Sequence, residues 1–558
     1  MLRIPVLLAL LLLLGNYPVR ADVPVHSWSQ RLGGTVTDSG KVVAADAQGN
    51  VIIAGEFGGT INLGGANLVA SSTDVLVAKF DGSGAHQWSR KFGGSLAQHV
   101  TSIDVDASGN VVLTGYFEST IDCGGGPLSS AGSTDVFLAK LDAGGVHLWS
   151  KRFGSTATSE EGLSVAFDGS GNVFVTGRIR GSVDFGGGAL PAAGYYDMFL
   201  ARFDGEGNHQ WSRRFGGGDV NNDKSVGQAL TTDGSGSVIV SGHFYGGDLD
   251  LGGGPLAGEQ RYDMFLAKFD AGGLHQWSQR FGISGWWKEA GAIVVEQSGD
   301  IILMGEVDGS VLFPYGFLNT NGGSQDILLA GFGADGTPQW GRVIGSSGVD
   351  GCESMTLDPQ GNLLITGPLT FPVNFGGGEL TSSDGSDVYL ASFDADGHHR
   401  WSERFAGTGN QSGLGVACGP SGAIFVTGEL SGYADFGGGY LFSAGASDIL
   451  LAKFTAILTA TDEMPAARVL SISSFPNPFN PRTTIRYTVP SHGRVTVAIY
   501  DARGAQVATV VDRIHPPGAY GADWNGRGDR GEAVSSGIYF ATVVHSGLRL
   551  SSKMVLLK

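Results

Sequence analysis

Tryptophan recurs at Trp28, Trp88, Trp149, Trp211, Trp277, Trp340 and Trp401, at spacings of 60 to 66 residues. A period that long and regular marks one supersecondary unit copied along the chain, each copy needing its neighbours to bury its apolar faces. Four residues after each tryptophan stands an apolar residue: Leu32, Phe92, Phe153, Phe215, Phe281, Ile344 or Phe405. The order between tryptophans is constant. An apolar run such as Val42–Ala45 is followed by a turn, Asp46-Ala47-Gln48-Gly49-Asn50, and a second run, Val51–Gly55. A Gly-rich stretch such as Asp184-Phe185-Gly186-Gly187-Gly188 comes next, and then a third run such as Asp135–Lys140 leads into the Trp run.

Turns of the Asp-x-x-Gly-Asn kind between short apolar runs are hairpin loops, because Gly and Asn tolerate positive φ. The chain holds 93 glycines among its 558 residues, against a usual ~7%, which argues against long helices. No Gly-x-y period exists, so collagen is excluded as well. Each unit therefore reads as a four-stranded antiparallel meander, and tandem four-stranded units form a β-propeller. The first three strands of the unit occur seven times, the last set ending at Phe454 without its Trp strand, while the Trp28 strand has no set before it. One orphan at each end predicts an all-β, seven-bladed propeller closed by the N-terminal strand, which leaves no open sheet edge.

The repeats resemble the SBBP-type β-propeller repeat of bacterial exported proteins. Gly171-Asn172-Val173-Phe174-Val175-Thr176-Gly177 and Asp197-Met198-Phe199-Leu200-Ala201-Arg202-Phe203-Asp204 carry the resemblance, over roughly residues 27–454. It implies a fold and transfers no catalytic residues.

Both ends of the chain read as addresses. Arg3, the apolar run Ile4–Leu14 and Val19-Arg20-Ala21 have the form of a secretory signal peptide, residues 1–21, too short for a membrane span. The propeller is expected over 22–454 and a linker over 455–474. Beyond it, Phe475-Pro476-Asn477-Pro478-Phe479-Asn480-Pro481 opens about 85 residues of short strands and turns, read as an Ig-like β-sandwich over 475–558. With Ser536-Gly537-Ile538-Tyr539-Phe540 and the terminal Lys553-Met554-Val555-Leu556-Leu557-Lys558, this block resembles the C-terminal sorting domain of type IX secretion, similar to the FlgD Ig-like domain. The resemblance implies the outer-membrane secretion machinery as a partner, and a secreted or cell-surface location.

A net charge of −18 disfavours nucleic acid and anionic membranes as partners. Cys123, Cys352 and Cys418 are too few and scattered for a disulfide framework or metal site, and read as buried thiols. An aspartate opens every third strand (Asp74, Asp135, Asp197, Asp263, Asp326, Asp387 and Asp448) and is read as accepting N–H bonds of the preceding turn. Histidine precedes Trp by two at His26, His86, His147, His209, His275 and His399, which predicts His and Trp on one strand face. Loops such as Asp394-Ala395-Asp396-Gly397 lack the ligand count of a calcium loop. Arg527-Gly528-Asp529 lies within the terminal block's own turn pattern. No nucleophile elbow, His-Glu-x-x-His helix or P-loop is present, so no catalytic, metal or cofactor residues are assigned.

What all units share maintains the fold, and what one unit alone carries is free for function. The loop Gly216–Asp223, the pair Trp286-Trp287, and Phe313-Pro314-Tyr315-Gly316 in place of Phe-Gly-Gly-Gly are the largest departures. Trp286 and Trp287 are expected beside Arg261, Tyr262, Phe313 and Tyr315, as a surface for a glycan or a surface protein. The leading reading is an exported, non-enzymatic binding or display protein. Its alternatives are an extracellular polysaccharide hydrolase or lyase and a structural envelope component.

Overall fold

The computed structural model describes residues 23–557 apart from 157, 220–221, 259–260, 283–287, 314–315, 321–324, 383, 456–470, 476, 478, 490–492, 516–517 and 546–547. Every regular element among them is a β-strand. The chain divides into two compact units, Met1–Ile457 and Leu458–Lys558. The signal-peptide segment and most of the expected linker lie outside the described residues.

In the first unit the seven copies form seven four-stranded antiparallel sheets, numbered here as blades 1 to 7. Their innermost strands are Asp38–Ala45, Gln98–Val105, Glu161–Phe167, Lys224–Thr232, Lys288–Val295, Ser354–Leu357 and Gln411–Cys418. Each packs on the next, and Gln411–Cys418 packs back on Asp38–Ala45, so the ring closes as a propeller. The outermost strand of blade 7 is Val25–Leu32, paired antiparallel with Asp448–Thr455 in the register Ser29↔Ala452.

The tryptophans hold the seams between blades. Trp88 Nε1 donates to Ala143 O at 3.0 Å, in the turn between the third and fourth strands of the next blade. Trp28, Trp149, Trp211, Trp277 and Trp340 do the same to Gly82, Gly205, Ala271, Ala334 and Ala395. Each ring also lies against the glycine of that turn, for example Gly145 at φ 73° under Trp88, where a Cβ would collide with the indole. Positive φ and the flat approach of the ring both demand glycine there. Lys140 Nζ reaches Gly205 O at 3.1 Å, and Lys453 reaches Gly82 O at 2.6 Å, so third-strand cations share the tryptophans' acceptors.

Histidine and tryptophan do not share a face. His86 pairs with Phe80 while Trp88 pairs with Lys79, because a bulge between them takes up one residue. Adjacent residues on the partner strand point to opposite faces, so the bulge turns the histidine away from the seam. There its Nε2 lies 3.1 Å from Ser89 Oγ, and its ring meets Phe80 edge-on at 5.9 Å. The Gly-rich stretch is a two-stranded excursion hairpin, as in Ser182–Asp184 with Ala189–Pro191. Its buried residues, Val183 and Phe185, join the blade core, and its glycine pair covers the histidine ring so closely that a Cβ would overlap it. Blade 5 explains itself on this basis. Pro338 stands in place of the histidine and Gly341 in place of the serine, so Phe313-Pro314-Tyr315-Gly316 has no imidazole to cover.

The second unit is a two-sheet sandwich. Strands Ser471–Phe475, Thr483–Val489 and Gly518–Trp524 form one sheet, and Gln506–His515, Gly493–Asp501, Gly537–His545 and Leu548–Leu556 form the other. The first strand begins at Ser471, inside the expected linker. Phe479, Ile485, Tyr487, Val497, Trp524, Tyr539, Met554 and Leu556 share one core. The Arg527-Gly528-Asp529 turn is engaged internally: Arg527 donates to Gly531 O at 2.6 Å and Asp529 accepts from Thr509 N at 2.7 Å.

Candidate functional site at the channel mouth

The aspartates that open the third strands are frame residues. Six of them, Asp74, Asp135, Asp197, Asp263, Asp387 and Asp448, are buried and meet the cation three residues after a tryptophan: Lys91, Arg152, Arg214, Arg280, Arg404 and Arg31. Asp197 also accepts from Ala193 N at 2.6 Å and Gly194 N at 3.0 Å. The expected turn bonds are therefore present, but the ion pair escaped the sequence reading. Its signal was available: Lys or Arg holds that position in six units, and Val343 in blade 5. The glycine after the strand, such as Gly154 or Gly216, makes room for the carboxylate, which occupies the place of a Cβ.

The hairpins on the opposite face are also accounted for locally. Asp394 Oδ1 accepts from Asp396 N at 3.0 Å and His398 N at 2.8 Å, an Asx turn rather than an ion cage. Asp394, Asp396 and His398 are the one metal-type cluster among the described residues, and they lie at the surface. All three cysteines are free thiols.

Against this constant frame one ring of positions changes from blade to blade. It follows the glycine near the end of each second strand: Glu56, Tyr116, Arg178, His243, Glu306, Pro368 and Glu429. The second strands end here on the face that carries the connections from second to third strands and from one blade to the next. Glu56, Tyr116, Arg178 and Glu429 reach residues of the innermost strands. His99 Nδ1 lies 3.0 Å from Glu56 Oε1, and its ring packs 4.8 Å from Tyr116. The Glu56 hydrogen bond raises the His99 pKa against the opposing effect of burial. Glu429 meets Lys41 at 3.4 Å, Glu161 meets Arg178 at 2.6 Å, and Glu306 accepts from Cys352 N at 3.1 Å. Each of these carboxylates has a donor, so none of them forms a bare acid–base pair.

Blades 3 and 4 concentrate aromatic and cationic groups at this mouth. The Arg178 guanidinium lies 4.5 Å from the Tyr196 ring centroid, and that of Arg180 lies 4.3 Å from Tyr195. Lys224 Nζ stands 5.6 Å from Tyr195, 5.8 Å from Tyr245 and 5.9 Å from Tyr262, distances typical of cation–π contact. His243 packs edge-on against Tyr262 at 5.5 Å. Burial first, then Arg178 and Lys224, push the His243 pKa down to about 4, so the imidazole is neutral at pH 7.

The residues singled out from the sequence are thus divided. Tyr262 lies in this cluster, and Arg261, half-buried, precedes it. Phe313 is 2% exposed and packs between Phe281 at 5.6 Å and Phe332 at 6.3 Å, so it belongs to the core of blade 5 rather than to a ligand surface. It occupies the place of Phe185 in blade 3. Trp286, Trp287 and Tyr315 lie outside the described residues. Sequence reading missed Arg178, Arg180, Tyr195, Tyr196, Lys224, His243 and Tyr245, although the change of residue after Thr-Gly or Ser-Gly from unit to unit was visible.

Comparison with known proteins adds little to this geometry. No family model matches the chain. It is 20% identical over 507 residues to an uncharacterized WD repeat-containing protein of Acanthamoeba polyphaga mimivirus, covering 72% of this chain and 36% of that protein. It is 26% identical over 201 residues to the regulatory protein FlaEY of Caulobacter vibrioides, covering 34% and 21%. The chain thus spans well under half the length of these relatives. Among solved structures, PorZ of Porphyromonas gingivalis, a surface component of the type-IX secretion system, is aligned over 95% of this chain and 100% of its own at 11% identity and a TM-score of 0.15. The extracellular domain of a one-component system of B. thetaiotaomicron aligns over 94% and 99% at 8% identity and a TM-score of 0.19. Dimeric latent PorU of P. gingivalis aligns over 65% and 31% at 13% identity and a TM-score of 0.15. At such scores the fold stands on its own strand pairing.

Proposed function

We propose that this chain is an exported, non-enzymatic binding propeller, labelled for export across the outer membrane by its C-terminal sandwich and taking its ligand at the channel mouth. One observation carries the reading: within a frame repeated sevenfold, the mouth ring holds Glu in three blades and Tyr, Arg, His and Pro in the other four. A residue needed for the fold recurs, whereas a residue that meets a ligand is set by that ligand. The engagement of the mouth carboxylates by His99, Lys41, Arg178 and Cys352 N supports binding over hydrolysis. No helix among the described residues is long and apolar enough to cross a membrane.

The test is made on the purified full chain with immobilised acidic and neutral polysaccharides. Retention without release of reducing ends is expected. Steady release of reducing ends would establish the hydrolase instead, and no retention on any surface would defeat the binding reading. In a host with type IX secretion, removal of 475–558 is expected to strand the propeller in the periplasm. A truncated chain that still reaches the medium would reduce the sandwich to a spacer.

A further inference from the structure

We infer that the mouth of blades 3 and 4 is a subsite for a carboxylate-bearing saccharide, held by Arg180 and Lys224 on a platform of Tyr195, Tyr196, Tyr245 and Tyr262. This rests on the binding reading above and narrows its ligand.

The first argument is charge against background. The protein carries −18, yet Arg178, Arg180 and Lys224 converge on one wall of the mouth. Carboxylates of these two blades have partners other than Arg180 and Lys224. Glu161 is bound to Arg178, Asp223 accepts from Asp219 N and Gly247 N, and Asp248 accepts from Gly258 N. Asp197 is buried with Arg214. Arg180 and Lys224 have no carboxylate within ion-pair distance among the described residues, and both address the same ring, Tyr195, at 4.3 and 5.6 Å. Two cations on one tyrosine, neither with a carboxylate of its own, offer their charge to an anion that reaches that ring.

The second argument is shape. A guanidinium laid against a tyrosine ring has its position fixed and keeps its N–H edge for an acceptor, and a planar carboxylate matches that edge with two parallel bonds. Lys224 adds a point charge whose Nζ also lies 3.4 Å from the Tyr262 hydroxyl. The tyrosines form two pairs on either side of Lys224: Tyr195 meets Tyr196 at 4.8 Å, and Tyr245 meets Tyr262 at 5.1 Å. All four are half-buried, with rigid rings and polar tips that suit the apolar faces and hydroxyls of a pyranose. An acidic peptide would use the cations and leave that platform idle.

The third argument is that these side chains are absent from the frame. Tyr195 and Tyr196 precede the aspartate of blade 3, where blade 2 has Ser133 and Thr134 and blade 7 has Ala446 and Ser447. Arg180 follows the second strand where blade 1 has Gly58 and blade 2 has Glu118. Nothing in blade construction requires them. His243 Nδ1 is buried without a hydrogen-bond partner, and its ring packs edge-on against Tyr262. The neutral ring therefore supports Tyr262 without adding charge.

The experiment measures hexagalacturonate binding to the full chain by calorimetry, with a neutral hexaglucan and a hexaglutamate peptide as comparators. Hexagalacturonate is expected to bind most tightly and to weaken as salt rises. The double variant Arg180→Gln, Lys224→Gln, which removes two charge-assisted bonds, is expected to lose about 100-fold in affinity with its melting temperature unchanged. Tyr196→Leu, which removes a platform ring that carries Arg178 rather than Arg180 or Lys224, should weaken hexagalacturonate and leave the hexaglutamate affinity unaltered. Equal binding of the neutral hexaglucan, equal binding of hexaglutamate, or a double variant as tight as wild type would each overturn the inference. Retention of the chain by neutral polysaccharides alone would also overturn it while leaving the binding reading intact.

Discussion

Deletion of residues 22–36 is expected to destabilise the propeller far more than deletion of 475–558, although it removes far fewer residues. The short segment does three things. It pairs with Asp448–Thr455, and its loss exposes that strand as an open edge. It places Trp28 against Gly84, with Nε1 donating to Gly82 O at 3.2 Å, while Gln30 donates to Gly84 O at 2.7 Å, so it clasps blade 7 to blade 1. It brings Arg31 to the buried Asp448 at 3.2 Å, and the deletion leaves that carboxylate without its cation. Truncating a core Trp costs about 3–5 kcal/mol, and the half-buried Trp28 in Trp28→Ala should fall near the lower end. The 22–36 deletion adds the lost ladder, and aggregation or a much earlier melt is expected. The sandwich has its own core, so its removal should leave the propeller's melt in place. Equal stability of the two truncations would refute closure by the N-terminal strand.

The second large effect is expected at the aspartates. Asp197 is 0% exposed and bound by Arg214 at 2.5 Å and by two backbone N–H groups. Asp197→Ala should cost about 3 kcal/mol, mostly from orphaning those donors, since each buried unpaired N–H costs about 1–3 kcal/mol. Arg214 is 28% exposed on its side chain and can turn to water, so the pair itself contributes the smaller share. Asp197→Asn keeps an acceptor and should cost less. Chemical denaturation of the three proteins checks this order. If the ring instead held a cation, a chelator would lower the wild-type melting temperature; no change is expected. An Asp197→Ala protein as stable as wild type would remove the aspartates from the frame.

The parts of the fold legible in the sequence were those fixed by local chemistry and by counting. The Trp period, the Asp-x-x-Gly turns and the two orphan strands led to a closed seven-part ring, because each depends on a short window of residues. What stayed hidden depends on register. One bulged residue between His86 and Trp88 reverses the face of the histidine, and nothing in the residue types marks it. The pairing of Asp135 with Arg152 spans 17 residues and a hairpin, visible only as a coincidence of columns. Blade 5 misled for a related reason. Its loss of Phe-Gly-Gly-Gly reads as a functional departure until the histidine covered by that element in other blades is seen to be Pro338 there. Little of the mouth cluster was legible: Tyr262 was picked out, while its neighbours Lys224 and Tyr245 came from strands whose approach only the sheet order reveals.

Native-state hydrogen exchange of the strand around Trp28 tests the ring most directly. If Val25–Leu32 is the outer strand of blade 7, its amides will exchange on the timescale of His86–Phe92 and His147–Phe153, the equivalent strands of blades 1 and 2. Slow exchange shared by all three is the expected result. Complete exchange of 25–32 while the other two strands remain protected would show an unpaired N-terminal segment and contradict a ring closed by it.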